Sequence, residues 1–542
     1  MSARDEIVEA LAAFATATDQ RDWATIRSLL APDAFAYSSS GPDAIVAQMQ
    51  AHLGGCGPTQ HLLGNHRVTI DGDTARSLSS ARVHHVGAGP KAGSSYECLG
   101  DYDDSWVPGP GGWRIVRRKF EIRIDRGDFG VLRPTDQQGA LDTPQQLALE
   151  ARALELWRSE PVRRAADGVR ELYRADTQAA TPSGLASVDS AAEAIAFVAA
   201  LYAVIDDPAN PELLWLANAA HEWAALSVPG SGYGIDNPDN VHRRAAIDGV
   251  SEYVVRGSSP TGQRPEQQSF IVYAEPAPGE PVTREGADIL GVLVSDAMVT
   301  NADGTFEVTV GPSEADGRPN HIQTREGATH LLVRDLLSDW TCQLPTRLSI
   351  ERVSGAPSTP ASRESAEHAA ALLAELGRYW VTYDNEFIFI RPVNELVQPR
   401  PRPFGMSVAG HFALDEGEGL LVTVDQAGAR YIGFEVTDPW GVAREYVERT
   451  GSLSSSQARA NADGSITWII SPDDPGVWNW LDTAGLSCGM LAIRWQGGTL
   501  AEDPVREVRV VRLADITPDI TPGERVAQLR ERKVRVESPI VV

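Results

Sequence analysis

Apolar residues open the chain at helical spacing. Ile7, Leu11 and Phe14 fall three or four apart, Thr18 extends their stripe, and Trp23, Ile26 and Leu30 form a second stripe that Pro32 ends. The period then shortens. HLLGNHRVTID, TARSLSSARVHHVG, SYECLGDYDDSWV and GGWRIVRRKFEIRID read as strands separated by the turns DGD, GAGPKAG and PGPGG. Helices followed by an antiparallel meander predict an α+β cone over residues 1–134, a curved sheet that wraps its helices and leaves a pocket for a small molecule.

Downstream, a Gln, Thr, Pro and Gly-rich stretch marks a linker at 135–150, and helical periodicity predicts a helical segment over 151–245. Short strands and Gly/Pro/Asp turns then predict a first β-sandwich unit at 246–355 and a second at 401–515, with a helical bridge at 356–400 and a tail at 516–542. The two units read as a repeat. NADGTFEVTVGPSEADGRPNHIQ from Asn301 aligns with NADGSITWIISPDDPGVWNWLD from Asn461, and an Asn follows 18 or 19 residues on, at Asn320 and Asn479. The expected architecture is therefore an α+β cone, a helical segment and a mostly β, internally repeated double sandwich.

Charge narrows the partners. A formal net charge of −26 argues against a nucleic-acid backbone or an anionic membrane. The acidity is uneven: residues 1–134 carry about 14 basic and about 16 acidic side chains, so nearly all of it lies downstream. Cys56, Cys98, Cys342 and Cys488 are scattered without zinc-type spacing, as suits a reduced cytoplasm. The first residues read as a charged helix without a leader pattern, and no run of about 18 apolar residues follows, so a cytoplasmic location with no membrane span is expected.

Two histidines in one strand need an explanation. Strict alternation puts His61, Leu63, Asn65 and Arg67 on one face and Leu62, Gly64, His66 and Val68 on the other, so only one histidine faces the helices. Asp19, near the end of the first helix, is placed to reach an inward His61, and such a carboxylate would fix the imidazole tautomer and raise its basicity. Phe14, Trp23, Leu63 and Phe120 are candidate walls. His84 and His85 cannot both ligate one ion, because neighbouring strand residues point to opposite faces, and no HxH or HExxH accompanies them; the expectation is neither metal nor cofactor.

ATDQRDWATIRSLLAPDAFAYSSS, TQHLLGNHRVTIDGDTARSLSSARVHHVG and GWRIVRRKFEIRIDRGDFGVLRP resemble, in order and with few gaps, the SnoaL-like branch of the nuclear transport factor 2-like superfamily over residues 3–134. The pattern is similar to scytalone dehydratase and to the lindane dehydrochlorinase and bile-acid 7α-dehydratase groups. The resemblance implies that Asp19 orients His61, that His61 moves a proton, that Tyr37 polarises a substrate oxygen, and that His85, or His84 after a register slip, is a second histidine of the site. Thr18 stands where scytalone dehydratase has Tyr, and its Ser and Asn fall near Gly100 and Tyr102. A different substrate is implied, contacted by Trp23, Leu63, Asn65, Tyr96, Tyr102 and Phe120, with Asp101 as a further replacement. The family also implies a homo-oligomer, dimer or trimer.

No nucleophile elbow, Walker loop or metal-spaced cluster appears after residue 135, and GSGYG at 230–234 lacks a strand–helix setting. Residues 150–510 instead resemble the bacterial family of unknown function numbered 1214, through NPDNVHRRAAIDGVSEYVVRG, DLLSDWTCQLPTRLSIERV and SPDDPGVWNWLDTAG. His242, Arg243, Asp335, Trp340, Asp474, Asn479, Trp480, Asp482 and Arg494 concentrate polar and aromatic types there. The leading expectation is a cofactor-independent lyase or isomerase acting on a cyclic or aromatic hydroxy/carbonyl molecule such as a polyketide, terpenoid, steroid or lignin-type compound. The alternatives are a ligand-binding or assembly protein with a non-catalytic cone, and an enzyme whose site lies in the C-terminal β repeat.

Overall fold

The computed structural model describes residues 2–530 except 38, 54–55, 89–92, 128, 133–139, 142, 224–225, 260–263, 277–278, 285, 341–342, 356–363, 398 and 502; Cys342 lies outside the described residues. The chain divides into two units, one holding residues 1–143 and 221–227, the other the remainder from 144.

The first unit has three helices, α1 (Ala3–Gln20), α2 (Trp23–Leu29) and α3 (Pro42–Leu53), and six strands, β1 (Leu30–Ala36), β2 (Ser39–Ser40), β3 (Cys56–Asp71), β4 (Thr74–Gly87), β5 (Ser95–Gly109) and β6 (Gly112–Gly127). A Ser2–Asp5 capping box starts α1. Its Ile7, Leu11, Phe14 and Ala17 are buried with Ile26 of α2 and Ile45, Val46 and Met49 of α3. The strands form one sheet in the order β2-β1-β6-β5-β4-β3, antiparallel except for β1 beside β6.

Irregularities decide which side chains enter the unit. Between Gly64 and Arg67 the β3–β4 register shifts, with Asn65 at φ +53°. The extra residue reverses the alternation, so His66 and Val68 turn inward after His61 and Leu63, and His66 Nδ1 meets the buried Ser79 Oγ at 2.9 Å. Both histidines therefore face inward, against the expectation from strict alternation, and Asn65 is exposed at the bulge. A second shift at Leu99/Gly100 needs its glycine, because a Cβ there would run into the Glu121 carbonyl. A third, at Ser105/Trp106, turns Arg118 rather than Arg117 into the interior.

In the second unit α4 (Pro144–Arg158), α5 (Glu160–Ala175) and α6 (Pro182–Ile205) precede the sheets. Helix α6 is long and apolar enough to cross a membrane, but 83% of its most apolar window is buried inside the protein, as in a core helix. The helices start at Pro144, within the stretch read as linker, and stop at Ile205, well before 245. Leu214–Leu216 and Asn240–Ala246 are strands, and the second pairs with His330–Leu336. That partner lies about 90 residues away, so local periodicity could not reveal it. The tail read at 516–542 includes a helix at Pro522–Arg530.

Two of the four larger sheets of this unit share a strand order. Glu252–Ser258 sits between Thr305–Gly311 and Arg347–Ser354, with His321–Gln323 added in parallel; Glu418–Val424 sits between Ile466–Ser471 and Val505–Arg512, with Trp480–Asp482 added in parallel. Asn320 takes the Val299 N–H (2.8 Å) and donates to the carbonyls of Val299 and Glu307 (2.7 and 3.0 Å). Asn479 does the same with Arg459 N (2.8 Å), Arg459 O (2.8 Å) and Thr467 O (2.9 Å). Asn479→Ala would leave one N–H and two carbonyls of a half-buried loop without this partner. A loss of about 1–3 kcal/mol is expected in denaturant unfolding, and an unchanged midpoint would show the clasp to be dispensable.

Candidate active site in the N-terminal unit

Asp19 lies in the last turn of α1. Arg21, at φ +60°, stops the helix, and its guanidinium donates to Thr18 O (2.7 Å), Thr59 Oγ1 (2.9 Å) and Gly57 O (3.1 Å), which ties the helix end to β3. The Asp19 carboxylate then accepts three hydrogen bonds from β3: from Thr59 Oγ1 (2.9 Å), His61 N (2.9 Å) and His61 Nδ1 (2.7 Å). Burial opposes its charge, but the His61 and Thr59 bonds outweigh burial and hold the carboxyl below its ordinary 3.8. With Nδ1–H on the carboxylate, a neutral His61 keeps its lone pair on Nε2.

His61 lines a cavity together with His85, Tyr37, Tyr102, Leu63 and Arg118. Helix α1 closes it with Phe14, Ala15 and Thr18, and α3 with Gln48, Met49, His52 and Leu53. Tyr37 follows β1 in the left-handed region at φ +51°, a conformation costly for a non-glycine and concentrated at functional sites. Burial pushes the phenols of Tyr37 and Tyr102 above their ordinary value, while the nearby Arg118 guanidinium pulls the other way. Arg118 donates from Nε and Nη2 to the two Asp104 oxygens at 2.7 and 2.9 Å; both side chains are buried, and the guanidinium lies 4.0 Å from the Phe14 ring centre and 4.6 Å from that of Tyr102.

His85 is fully buried, its ring centre 6.0 Å from that of His61 and stacked 5.9 Å from Tyr96. Among the described residues neither of its ring nitrogens meets a partner at hydrogen-bond geometry. Burial, then the adjacent His61 and His52, pull its pKa from 6.5 down to about 3. Between those values the unfolded chain binds the extra proton, so this group's contribution is fully present above about pH 6.5 and is lost as pH falls toward 3. His85→Gln is therefore expected to flatten the fall in stability across that window, measured by urea unfolding; an unchanged slope would mean that His85 does not titrate as its burial requires.

Other candidates sit elsewhere. Trp23 packs against the helix core, Phe120 lies tilted against Tyr102 with ring centres 4.4 Å apart and does not line the cavity, and Asn65 is the exposed bulge residue. Tyr96 donates to Asp125 (3.0 Å) and supports His85 from outside the cavity. Asp101 pairs with Ser80 and Arg123 instead of entering the cavity, and His84 is half exposed while His85 points in. Among the described residues no three His, Cys, Asp or Glu side chains group as metal ligands.

Arg118, Asp104, His52 and Gln48 escaped the sequence reading. Helix α3 was legible in the spacing of Ile45, Val46, Met49 and Leu53 after Pro42. Asp104 carried a signal too, as the one charge on the face shared by Tyr96, Cys98, Gly100, Tyr102 and Trp106.

Residues 1–119 match the SnoaL-like domain family. An uncharacterised protein of Mycobacterium tuberculosis is 35% identical over 124 residues, which span 22% of this chain and 84% of that protein. Through its N-terminal unit the chain belongs to the SnoaL-like family. The SnoaL-like unit is an α+β fold, and a β-rich region with several sheets follows it. A solved hexachlorocyclohexane dehydrochlorinase aligns over 25% of this chain and 95% of its own at 15% identity and a TM-score of 0.22. Over 69% of this chain and 99% of the other, the fold also matches a crystal structure of an uncharacterised protein from Burkholderia cenocepacia, at 23% identity and a TM-score of 0.52.

Proposed function

We propose that the SnoaL-like unit is a cofactor-independent lyase or isomerase that moves a proton on a small hydroxy/carbonyl molecule. The observation that carries this reading is the 2.7 Å contact of Asp19 with His61 Nδ1 at the wall of a cavity that also holds Tyr37, Tyr102 and Arg118. The family includes dehydratases and isomerases, and the fold supports other roles as well, so the site and not the fold bears the argument.

In the elimination, His61 Nε2 takes the proton from the carbon beside the carbonyl while the carbonyl oxygen accepts a hydrogen bond from Tyr37 or Tyr102. The resulting imidazolium, held by Asp19, returns its proton to the departing hydroxyl; the C–O bond breaks and an enone and water leave. In an isomerisation the same proton returns to carbon. The cyclic or aromatic substrate class rests on the apolar sides of the cavity, Phe14, Met49, Leu53 and Leu63. Incubating the protein with cyclic hydroxy-ketones in deuterium oxide tests the reading: washout of the α-proton, followed by NMR, is expected, and none across such a panel would argue for a ligand-binding cone.

For residues 150–510 we also propose membership of the bacterial family of unknown function 1214. The two sheets of equal strand order and their Asn320 and Asn479 clasps support a duplicated β unit.

A further inference from the structure

Most of the polar residues singled out in the second unit are structural partners. Arg243 pairs with the buried Asp335 at 2.8 Å, Trp340 donates to Asp239, Asp474 pairs with Arg525, Asp482 with Arg449, and Trp480 donates to Ser471 O. His242 and Arg494 behave differently. His242 alternates with Val241 and Arg243, so it lies on the face of its sheet turned away from that sandwich core, directly across from Arg334 on the paired strand. Arg494 likewise alternates with the core residues Ile493 and Trp495 of a second sheet. The face of the second sheet packs against the segment 235–240, where Arg494 donates to Ile235 O and Tyr431 bonds to Asn237 and Asp239, and Asp236 of that segment feels the charges of both Arg494 and Arg334.

This layer is buried, polar and incompletely paired. Among the described residues, five buried side-chain polar atoms without a hydrogen-bond partner gather here: Asn240 Oδ1, His242 Nδ1, Arg334 Nε, Glu435 Oε2 and Gln496 Oε1. Such atoms are uncommon because each costs about 1–3 kcal/mol, and a cluster calls for a functional account. Arg494 is ion-paired with Glu435. Arg334 and Arg402 meet no carboxylate among the described residues; Arg334 instead lies 4.8 Å over the Phe404 ring, two residues from Arg402. Arg402 is held below its ordinary value by burial, then by the charges of Arg400 and Arg334, while burial pushes the nearby Asp236 up to about 7 and weakens it as a counter-charge. His242, 6% exposed and kept neutral by burial and by Arg334 and Arg494, can still donate one hydrogen bond.

We infer that Arg334, Arg402 and His242 form a binding site for a small oxyanion-bearing molecule, a carboxylate or phosphate whose organic part lies against Phe404. Two guanidiniums that meet no carboxylate at ion-pair distance among the described residues supply the charge, and their planar forks suit either oxyanion. The site shares no residue with the SnoaL-like cavity, so it does not depend on the proposed proton-transfer chemistry.

Thermal unfolding of the full chain with inorganic phosphate or with benzoate, at constant ionic strength, tests the inference. A saturable rise in melting temperature is expected with at least one of them; phosphate alone would assign a phosphate ligand and benzoate alone an aromatic carboxylate. Arg334→Met should weaken that binding at least ~10-fold, while its own melting temperature without anion should rise, because a half-buried cation facing the like charges of Arg402 and Arg494 has been removed. Arg256→Met, at an exposed position, should bind as the parent does. No saturable shift with either anion, undiminished binding by Arg334→Met, or a lower melting temperature of that variant would each overturn the proposal.

Discussion

His61→Ala is expected to lower turnover by ~10²–10⁴-fold while the protein keeps its helix content and melting temperature. The reason is geometric. His61 Nδ1 is committed to Asp19, so the imidazole has one basic nitrogen, and in the proposed elimination that nitrogen both takes the α-proton and returns it to the leaving oxygen. Its removal should appear in kcat, with KM little changed, because the proposed substrate contacts of Tyr37, Tyr102 and Arg118 remain. Asp19→Asn should cost about as much through another route: an amide can turn its NH₂ toward Nδ1 and stabilise the wrong tautomer, and it cannot balance an imidazolium. The two substitutions combined should cost little more than either alone, since the residues act as one unit. Activity within ~10-fold of the parent in His61→Ala would remove this residue from the chemistry.

Asp104→Ala should have the largest effect on stability, about 3–5 kcal/mol in the SnoaL-like unit, because it strands the Arg118 guanidinium between Phe14 and Tyr102. Domains are stable by about 5–15 kcal/mol, so the unit should approach its unfolding threshold at ordinary temperatures. The pair is costly to break without being costly to replace. Asp104→Leu combined with Arg118→Met should recover most of the loss, since neither buried charge then remains, while substrate binding stays impaired by the missing guanidinium. Chemical denaturation of the three proteins checks this, and a loss below about 1 kcal/mol in the single variant would contradict the burial of the pair.

Helix α1 and the four long strands were legible because their signals are local: an apolar stripe, a period of two and glycine-rich turns each act over a few residues. Asp19 and His61 were legible for a related reason, since one sits at the end of a helix and the other within a strand whose directions their neighbours dictate. The strands at Leu214–Leu216 and Asn240–Ala246 were not, because their pairing energy comes from partners far along the chain. Arg117 and Arg118 are chemically indistinguishable in sequence, and so are the anchored Arg243 and the unpaired Arg334.

Sequence alone therefore determined the elements of the cone and the residue types available for proton transfer, through side-chain periodicity and the chemistry of carboxylate and imidazole. Tertiary structure alone decided which of those residues meet. The bulge at Asn65 turns both histidines inward, and the register shift at Ser105/Trp106 buries Arg118 against Asp104. The meeting of two sheet faces leaves Arg334 Nε and His242 Nδ1 without a hydrogen-bond partner among the described residues. One inserted residue reverses every side chain beyond it, and whether a strand tolerates that insertion depends on the partner strand and the packing behind it.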